Sequence, residues 1–258
     1  MLGLKPERLH VTELTNLEIS ICGKSFVADM SGALFWPSEG ALIVSDLDLA
    51  ALDTASSTNP ENFDPGLMAS QAGETLNRLA SVIDKYQATR VIALGNGVSG
   101  SGSGRPSHVE NSGTTGLALH IDEEDLKTLS IMQNHCSWIW VCDGIPDDRC
   151  CQGGETRKSF FAEGLTLCHR PTPGLATHEI AGALRPAARV SRYGHELRRP
   201  CFIVDGLRAI LPAFATFAGG RNILGDDFEP IFGARGMDVL MLGHDGLYSI
   251  APRLLIPD

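Results

Sequence analysis

Several apolar runs in this chain stop at side chains able to bind a cation or carry a proton. Residues 41–47 end in Asp46-Leu47-Asp48, residues 90–95 lead into Asn96, and Trp138–Val141 run into Cys142-Asp143-Gly144-Ile145. Further on, one run ends in Cys168-His169-Arg170 and another, Gly182-Ala183-Leu184, ends in Arg185. Carboxylates and imidazoles are donors for hard and borderline divalent ions. Arginines beside them would instead neutralise acids or hold an anion. The residue types leave both kinds of chemistry open.

For these groups to meet, the runs must be neighbouring strands. Residues 41–47, 90–95 and 138–141 are short and apolar throughout, as in strands covered on both faces. Between the first two, residues 65–87 carry Leu76, Leu79, Ala80, Val82, Ile83 and Tyr86 at helical spacing. A second helix is expected from Asp122 to about His135, with Glu123, Glu124 and Asp125 in its first turn, where the dipole favours acids. Alternating strands and helices predict a parallel sheet, whose ligands gather at the carboxyl ends of its strands. Residues 96–118, rich in Gly, Ser, Thr and Asn, read as a loop. The second half changes character. Its runs at 165–169, 178–184, 201–205, 208–214 and 239–250 are short and closely spaced, and Asp205-Gly206 is a hairpin signal, so antiparallel strands are expected there. The expected fold class is an α/β sandwich, with strands dominating the C-terminal half, in a single domain over residues 1–258.

The segments Ser31-Gly32-Ala33-Leu34-Phe35-Trp36-Pro37 and Gly40-Ala41-Leu42-Ile43-Val44-Ser45-Asp46-Leu47 are followed by Arg90-Val91-Ile92-Ala93-Leu94-Gly95 and Trp138-Ile139-Trp140-Val141. Then come Glu179-Ile180-Ala181-Gly182, Pro186-Ala187-Ala188-Arg189-Val190, Arg199-Pro200-Cys201-Phe202 and Leu211-Pro212-Ala213-Phe214, all in order over residues 20–235. Together they resemble the calcineurin-like metallophosphoesterase superfamily, and within it the bacterial ligase-associated DNA damage response endonuclease family. The resemblance implies a metallophosphoesterase-like sandwich of two mixed β-sheets flanked by helices. It also implies a two-metal centre for phosphoester hydrolysis, held by five short motifs.

Followed motif by motif, the resemblance places most of those ligands on residues unable to serve. Asp-x-His falls on Asp46-Leu47-Asp48, which keeps the aspartate and puts Asp48 where the histidine belongs. Gly-Asp, with its metal-bridging carboxylate, falls on Gly95-Asn96, and Ser99 stands where a further histidine is expected. Gly-Asn-His-Asp would lie near Asp143-Gly144-Ile145-Pro146, where neither the asparagine nor the histidine remains. The lone histidine is matched by His169. Gly-His-x-His falls on Gly182-Ala183-Leu184-Arg185, and both histidines are gone. In the family pattern Asp46 and His169 belong to different metal positions, so they do not make half of one site. A two-metal hydrolase needs its bridge to hold both ions about 4 Å apart. A guanidinium about 4 Å from a dication costs roughly 8 kcal/mol at an effective dielectric near 20. The same placement predicts an ion pair from Arg185 to Asp46 or Asp48, which would otherwise be an uncompensated acid pair.

Other constellations carry less. Cys142, Cys150, Cys151 and Cys168-His169 invite a zinc reading but lack the short paired spacing of structural zinc sites. Gly95-Asn96-Gly97-Val98-Ser99-Gly100 matches G-x-G-x-x-G but is followed by Ser101-Gly102-Ser103-Gly104-Arg105-Pro106, which cannot open the helix a dinucleotide site needs. His135, His178 and His244 have no ligand-like pairing, Trp138 and Trp140 read as core, and His169 alone reads equally well as a core histidine. A net charge of −10 argues against a protein that coats nucleic acid generally. Residues 185–200 run the other way, with Arg185, Arg189, Arg192, Arg198 and Arg199 against Glu196, and read as a solvated hairpin. The cysteines have no disulfide-framework spacing. With no apolar stretch of membrane-spanning length and no secretory signal in view, the expected compartment is the cytoplasm.

Two functional readings follow. The favoured one is a catalytically inactive homologue, without cofactor, that binds a protein partner or a phosphate-containing ligand through Arg185, Arg170 and His169, with a DNA end or repair partner suggested by the family. The alternative is an active hydrolase using one divalent ion, Mn or Zn, on Asp46, Asp48 and His169, with Asp143 as a further ligand.

Overall fold

The computed structural model describes residues 15–49, 51–52, 65–95, 119–143, 153–174, 178–192, 194–215, 220–232 and 236–258. In chain order the strands are β1 (Asn16–Ile21), β2 (Lys24–Asp29), β3 (Leu34–Trp36), β4 (Ala41–Ser45), β5 (Ala51–Leu52), β6 (Arg90–Leu94), β7 (Leu119–His120), β8 (Ser137–Val141) and β9 (Glu155–Arg157). They continue with β10 (Ser159–Ala162), β11 (Leu165–Cys168), β12 (Glu179–Ala181), β13 (Pro186–Arg192), β14 (His195–Val204), β15 (Arg208–Ile210), β16 (Arg221–Asn222), β17 (Asp238–Leu242) and β18 (Leu247–Ile250). The helices are α1 (Pro65–Tyr86), α2 (Glu123–His135) and α3 (Glu229–Phe232).

The apolar alternation of β4, β6 and β8 explains the layering. Ile43, Ile92, Leu94, Ile139 and Val141 point to one face and join Phe160, Leu167, Ile180 and Phe202 in the core between two sheets. Leu42, Val44, Val91, Ala93, Trp138 and Trp140 point to the other and meet Leu76, Leu79 and Val82 of α1 and Leu129 and Met132 of α2. A third apolar cluster, with Ile203, Ile210 and Met241, packs under Ile231 and Phe232 of α3. Strands buried on both faces between helices are the signature of a parallel sheet, and β4, β6, β8 and β9 pair in parallel. Asp122 caps α2, accepting from the Glu124 backbone N–H at 2.8 Å.

Both large sheets are mixed, as expected, and β5 and β7 form a separate antiparallel pair. The first runs β1-β2-β3-β4-β6-β8-β9, its antiparallel arm β1–β3 added to the parallel strands; the second has nine strands built around β10-β11-β12-β15-β14-β13-β16. One expectation is corrected. The C-terminal strands are not simply antiparallel: β11, β12 and β15 pair in parallel, Thr166 beside Glu179 and Glu179 beside Arg208. Each parallel pair requires the chain to be carried back to the starting end of the sheet, and between β12 and β15 this connection contains the β13–β14 hairpin. Asp205-Gly206 does turn β14 into antiparallel β15, with Asp205 Oδ1 accepting from the backbone N–H groups of Leu207 at 3.0 Å and Arg208 at 2.7 Å, and Gly206 at φ +81°. The arginine-rich stretch is the β13–β14 hairpin, where Arg189 lies directly opposite Arg198 and the pair is neutralised by Glu196 and Asp258. Among the described residues no helix is long and apolar enough to cross a membrane.

One buried ion pair fixes the loop that follows β11. Arg208 and Glu179, each 2% exposed, meet at 2.9 Å. The other guanidinium nitrogens donate to the carbonyls of Ile231 at 2.9 Å and Thr172 at 2.8 Å, and Glu179 also accepts from the Thr172 N–H at 3.0 Å. Removing one partner of such a pair leaves an uncompensated buried charge. Glu179→Ala is therefore expected to lose roughly 3–5 kcal/mol in urea unfolding, with part recovered when Arg208→Met is added; a loss below about 1 kcal/mol would contradict this assignment.

Candidate functional site

The site forms where the carboxyl ends of β4, β6 and β8 face the ends of β11 and β12. Asp46 continues the β4–β6 ladder by donating its N–H to the Leu94 carbonyl at 3.1 Å, and Gly95 continues β6 toward β8 through the Val141 carbonyl at 2.8 Å. Gly95 is required twice over: its φ is +108°, and a Cβ there would lie 2.8 Å from His169 Nε2. Gly182, after β12, packs so tightly on the Ser45 side chain that a Cβ would collide with it. These two glycines let the loops of the two sheets touch, which brings Asp46, Asp48, Asp143, His169, Arg170 and Arg185 together.

The backbone here is strained. Asp46, Asp48, Ala183 and Arg185 have φ of +49°, +48°, +63° and +49°, four of the seven non-glycine residues with positive φ among those described. Left-handed backbone costs an L-residue roughly 1–2 kcal/mol, so tertiary contacts must hold it in place. Arg185 supplies such a contact. Its Nη2 donates to Asp48 Oδ1 at 2.8 Å, and its Nε lies 3.5 Å from Asp46 Oδ2. The ion pair expected from the sequence is formed, and it engages both aspartates.

From Asp46 the charges alternate outward. Ser45 Oγ donates to Asp46 Oδ2 at 3.1 Å, and His169 Nε2 lies 3.4 Å from Asp46 Oδ1. The other ring nitrogen, Nδ1, lies 3.1 Å from Asp143 Oδ2, to which Arg170 Nε also donates at 2.8 Å. Burial opposes a charge on His169, but its hydrogen bonds to Asp143 and Asp46 and their negative charges prevail, and its pKa is pushed up to about 9. Burial likewise opposes a charge on Asp46, and His169 and Arg185 hold its carboxyl below the usual range nonetheless. The hydrogen bond from His169 and the charges of His169 and Arg170 lower Asp143. With His169 protonated, three carboxylates (Asp46, Asp48, Asp143) face three cations (His169, Arg170, Arg185), and the array is neutral.

Of the positions singled out from the sequence, Asp46, Asp48, His169, Arg170 and Arg185 are assembled here, and Ala183 sits beside them in the Gly182–Arg185 turn. Asn96, Gly144 and Ile145 lie outside the described residues, as do Ser99, Cys150, Cys151 and the loop over 96–118. Cys142 Sγ lies 3.6 Å from the Gly95 carbonyl, and burial together with Glu179 and Asp143 pushes the Cys168 thiol up to about 12. Among the described residues no three His, Cys, Asp or Glu side chains are grouped as a metal-holding set. The link that sequence reasoning missed is Asp143 as the bridge between His169 and Arg170. Its only signal was an acid directly after β8, and the loop that delivers Arg170 to it is set by the distant Glu179–Arg208 pair.

No protein-family model matches the chain, and no curated protein sequence does. Solved structures are similar to it. The nuclease MPE of Pseudomonas putida aligns with a TM-score of 0.62 at 18% identity, covering 91% of this chain and 100% of the nuclease. YfcE, a phosphoesterase from E. coli, aligns over 84% of this chain and 96% of its own at 14% identity, with a TM-score of 0.35. The first likeness shows the fold, a metallophosphoesterase-like α/β sandwich.

Two outcomes are expected. The His169 pKa is raised above its ordinary 6.5, so its contribution to stability is complete below pH 6.5 and is lost as pH rises through about 9. Chemical denaturation across that window should show stability falling, with the fall absent in His169→Gln; an unchanged slope in the variant would contradict the pairing. Ala183→Gly should raise stability by about 0.5–1 kcal/mol, because relief of the left-handed strain exceeds glycine's extra unfolded-state entropy. A lower melting temperature would count against that strain.

Proposed function

We propose that this chain is a catalytically inactive protein of metallophosphoesterase fold that binds a phosphate-containing ligand or partner at the rim of its former metal site. The observation that carries the reading is the position of Arg185, whose guanidinium spans Asp46 and Asp48. These two carboxylates would have to face a cation in any metal-bound arrangement, and a fixed positive charge already stands there. His169 has both ring nitrogens against carboxylates and is held protonated by them, so it has no lone pair to offer a metal. The donor set, as arranged, does not fit a divalent ion.

Anion recognition then falls to the arginines. Arg170 uses Nε on Asp143 while its side chain remains 70% exposed, which leaves its terminal nitrogens toward solvent. Arg185 is more enclosed, and His169 serves to orient Asp143 rather than to touch a ligand. The similarity to a nuclease makes an oligonucleotide bearing a terminal phosphate the first ligand to try, and a role in DNA repair is the biological setting this reading would fit.

The test has two arms. After incubation with excess Mn or Zn and desalting, metal analysis should find well under one ion per chain, and a phosphodiester assay in excess Mn should show no turnover that depends on Asp46. Stoichiometric metal together with turnover abolished by Asp46→Ala would overturn the proposal in favour of a rearranged single-metal hydrolase. In the second arm, Arg170→Ala should weaken binding of a 5′-phosphorylated oligonucleotide about tenfold or more, the effect of losing a charge-assisted hydrogen bond; equal binding by the variant would remove the rim from the account.

A further inference from the structure

The fold disposes of one buried guanidinium completely. Arg208 has Nε on Glu179 and both terminal nitrogens on backbone carbonyls. Arg78, on α1, is treated differently. Its Nε and Nη2 are buried without any hydrogen-bond partner, and it is the one charged side chain among the described residues in that condition. Its guanidinium lies 4.4 Å from the centroid of the Phe214 ring. Glu74, one turn earlier on α1, is exposed, and the two make no ion pair among the described residues, although glutamate four residues before arginine is the favourable order for one.

A buried charged donor with nothing to receive its hydrogen bonds is a standing cost, and a cation–π contact offsets only part of it. Burial pulls the Arg78 pKa below the ordinary guanidinium value despite the charge of Glu74, yet arginine stays protonated in proteins. Placement gives the cost a purpose. Phe214 is fully buried, and its N–H bonds the Ser45 carbonyl at 2.6 Å while Ala215 N–H bonds the Asp46 carbonyl at 3.1 Å. Leu47, Leu49, Leu76 and Leu79 belong to the same apolar cluster as Phe214, so the guanidinium sits at a low-dielectric margin, just behind the strand end that carries Asp46. Two unpartnered N–H groups of one guanidinium edge match two oxygens of a carboxylate or phosphate, and such a pair is strongest where water is excluded.

We infer that Arg78 is the anchor of a second anion site, under Phe214 and separate from the Asp143–Arg170 rim, that takes an oxyanion through Nε and Nη2. This inference is independent of the reading proposed for the rim. The full-length chain, melted at constant ionic strength in increasing inorganic phosphate or in increasing acetate, tests it; the two series distinguish a phosphate ligand from a carboxylate one. The expected result is a saturable rise of about 3 °C or more in one series. Arg78→Met should melt at or above the wild type without anion and show no such rise. Arg78→Lys, which keeps the charge but not the fork, should fold and need at least about tenfold more anion for the same rise. Arg170→Ala should keep the part of the rise that depends on Arg78 and lose any part that the rim contributes. No response from the wild type to either anion, or a response undiminished in Arg78→Met, would overturn the site. If the response is lost in Arg170→Ala and kept in Arg78→Met, the anion binds at the rim and the Arg78 assignment fails while the rim reading stands. An Arg78→Met protein that melts well below the wild type without anion would mean that the guanidinium is already satisfied by the fold, and would likewise overturn it.

Discussion

Two aspartates separated by one residue, both in left-handed backbone at the end of β4, cannot share a confined space as bare anions. Arg185 resolves the conflict by reaching both carboxylates from the other sheet. Because it stands at the head of β13, the same contact that balances charge also fixes how the Gly182–Arg185 turn meets the end of β4. Charge and topology are settled by one side chain. The planar fork of arginine suits this task, since a lysine would offer a single point charge to two separate acids.

From that pair, neutralisation spreads through His169 to Asp143 and Arg170, and each link is less enclosed than the last. Asp46 and His169 are nearly buried, while the Asp143 side chain is 40% exposed and that of Arg170 70%. The inner links should matter more to stability than the outer one, which solvent screens. The Glu179–Arg208 pair, invisible from the site itself, supports the outer link by holding Thr172 and with it the turn that follows His169. The sandwich contributes rigidity. Strands β4, β6 and β8, buried on both faces, end at a common edge, and Gly95 and Gly182 allow the opposing loops to approach.

Much of this was legible from residue order. Three apolar runs with two intervening amphipathic helices imply a covered parallel sheet, and the acids at their ends identify the edge where chemistry would sit. Arg185 could be paired with Asp46 and Asp48 because the motif order implied by the resemblance places them together. Asp143 with Arg170 was not legible as a pair, since nothing local says how far the turn after β11 bends. The parallel course of β11, β12 and β15 was hidden for a related reason: short strands with short connections look like hairpins whether the chain turns back or crosses over the sheet end. The β1–β3 arm went unread because β1 and β2 mix exposed and half-buried residues with buried ones and so form no continuous apolar run. Arg78 gave no signal at all, because a single arginine on a helix reads as a solvated residue until burial is known.

The most direct measurement is a crystal structure of the chain grown with excess manganese, with anomalous data collected at the manganese edge. The expected result is Arg185 hydrogen-bonded to Asp48, His169 between Asp46 and Asp143, and no anomalous peak at the site. A manganese peak coordinated by Asp46, with the Arg185 guanidinium displaced from both aspartates, would contradict the claim that an ion-pair array has taken the place of the metals.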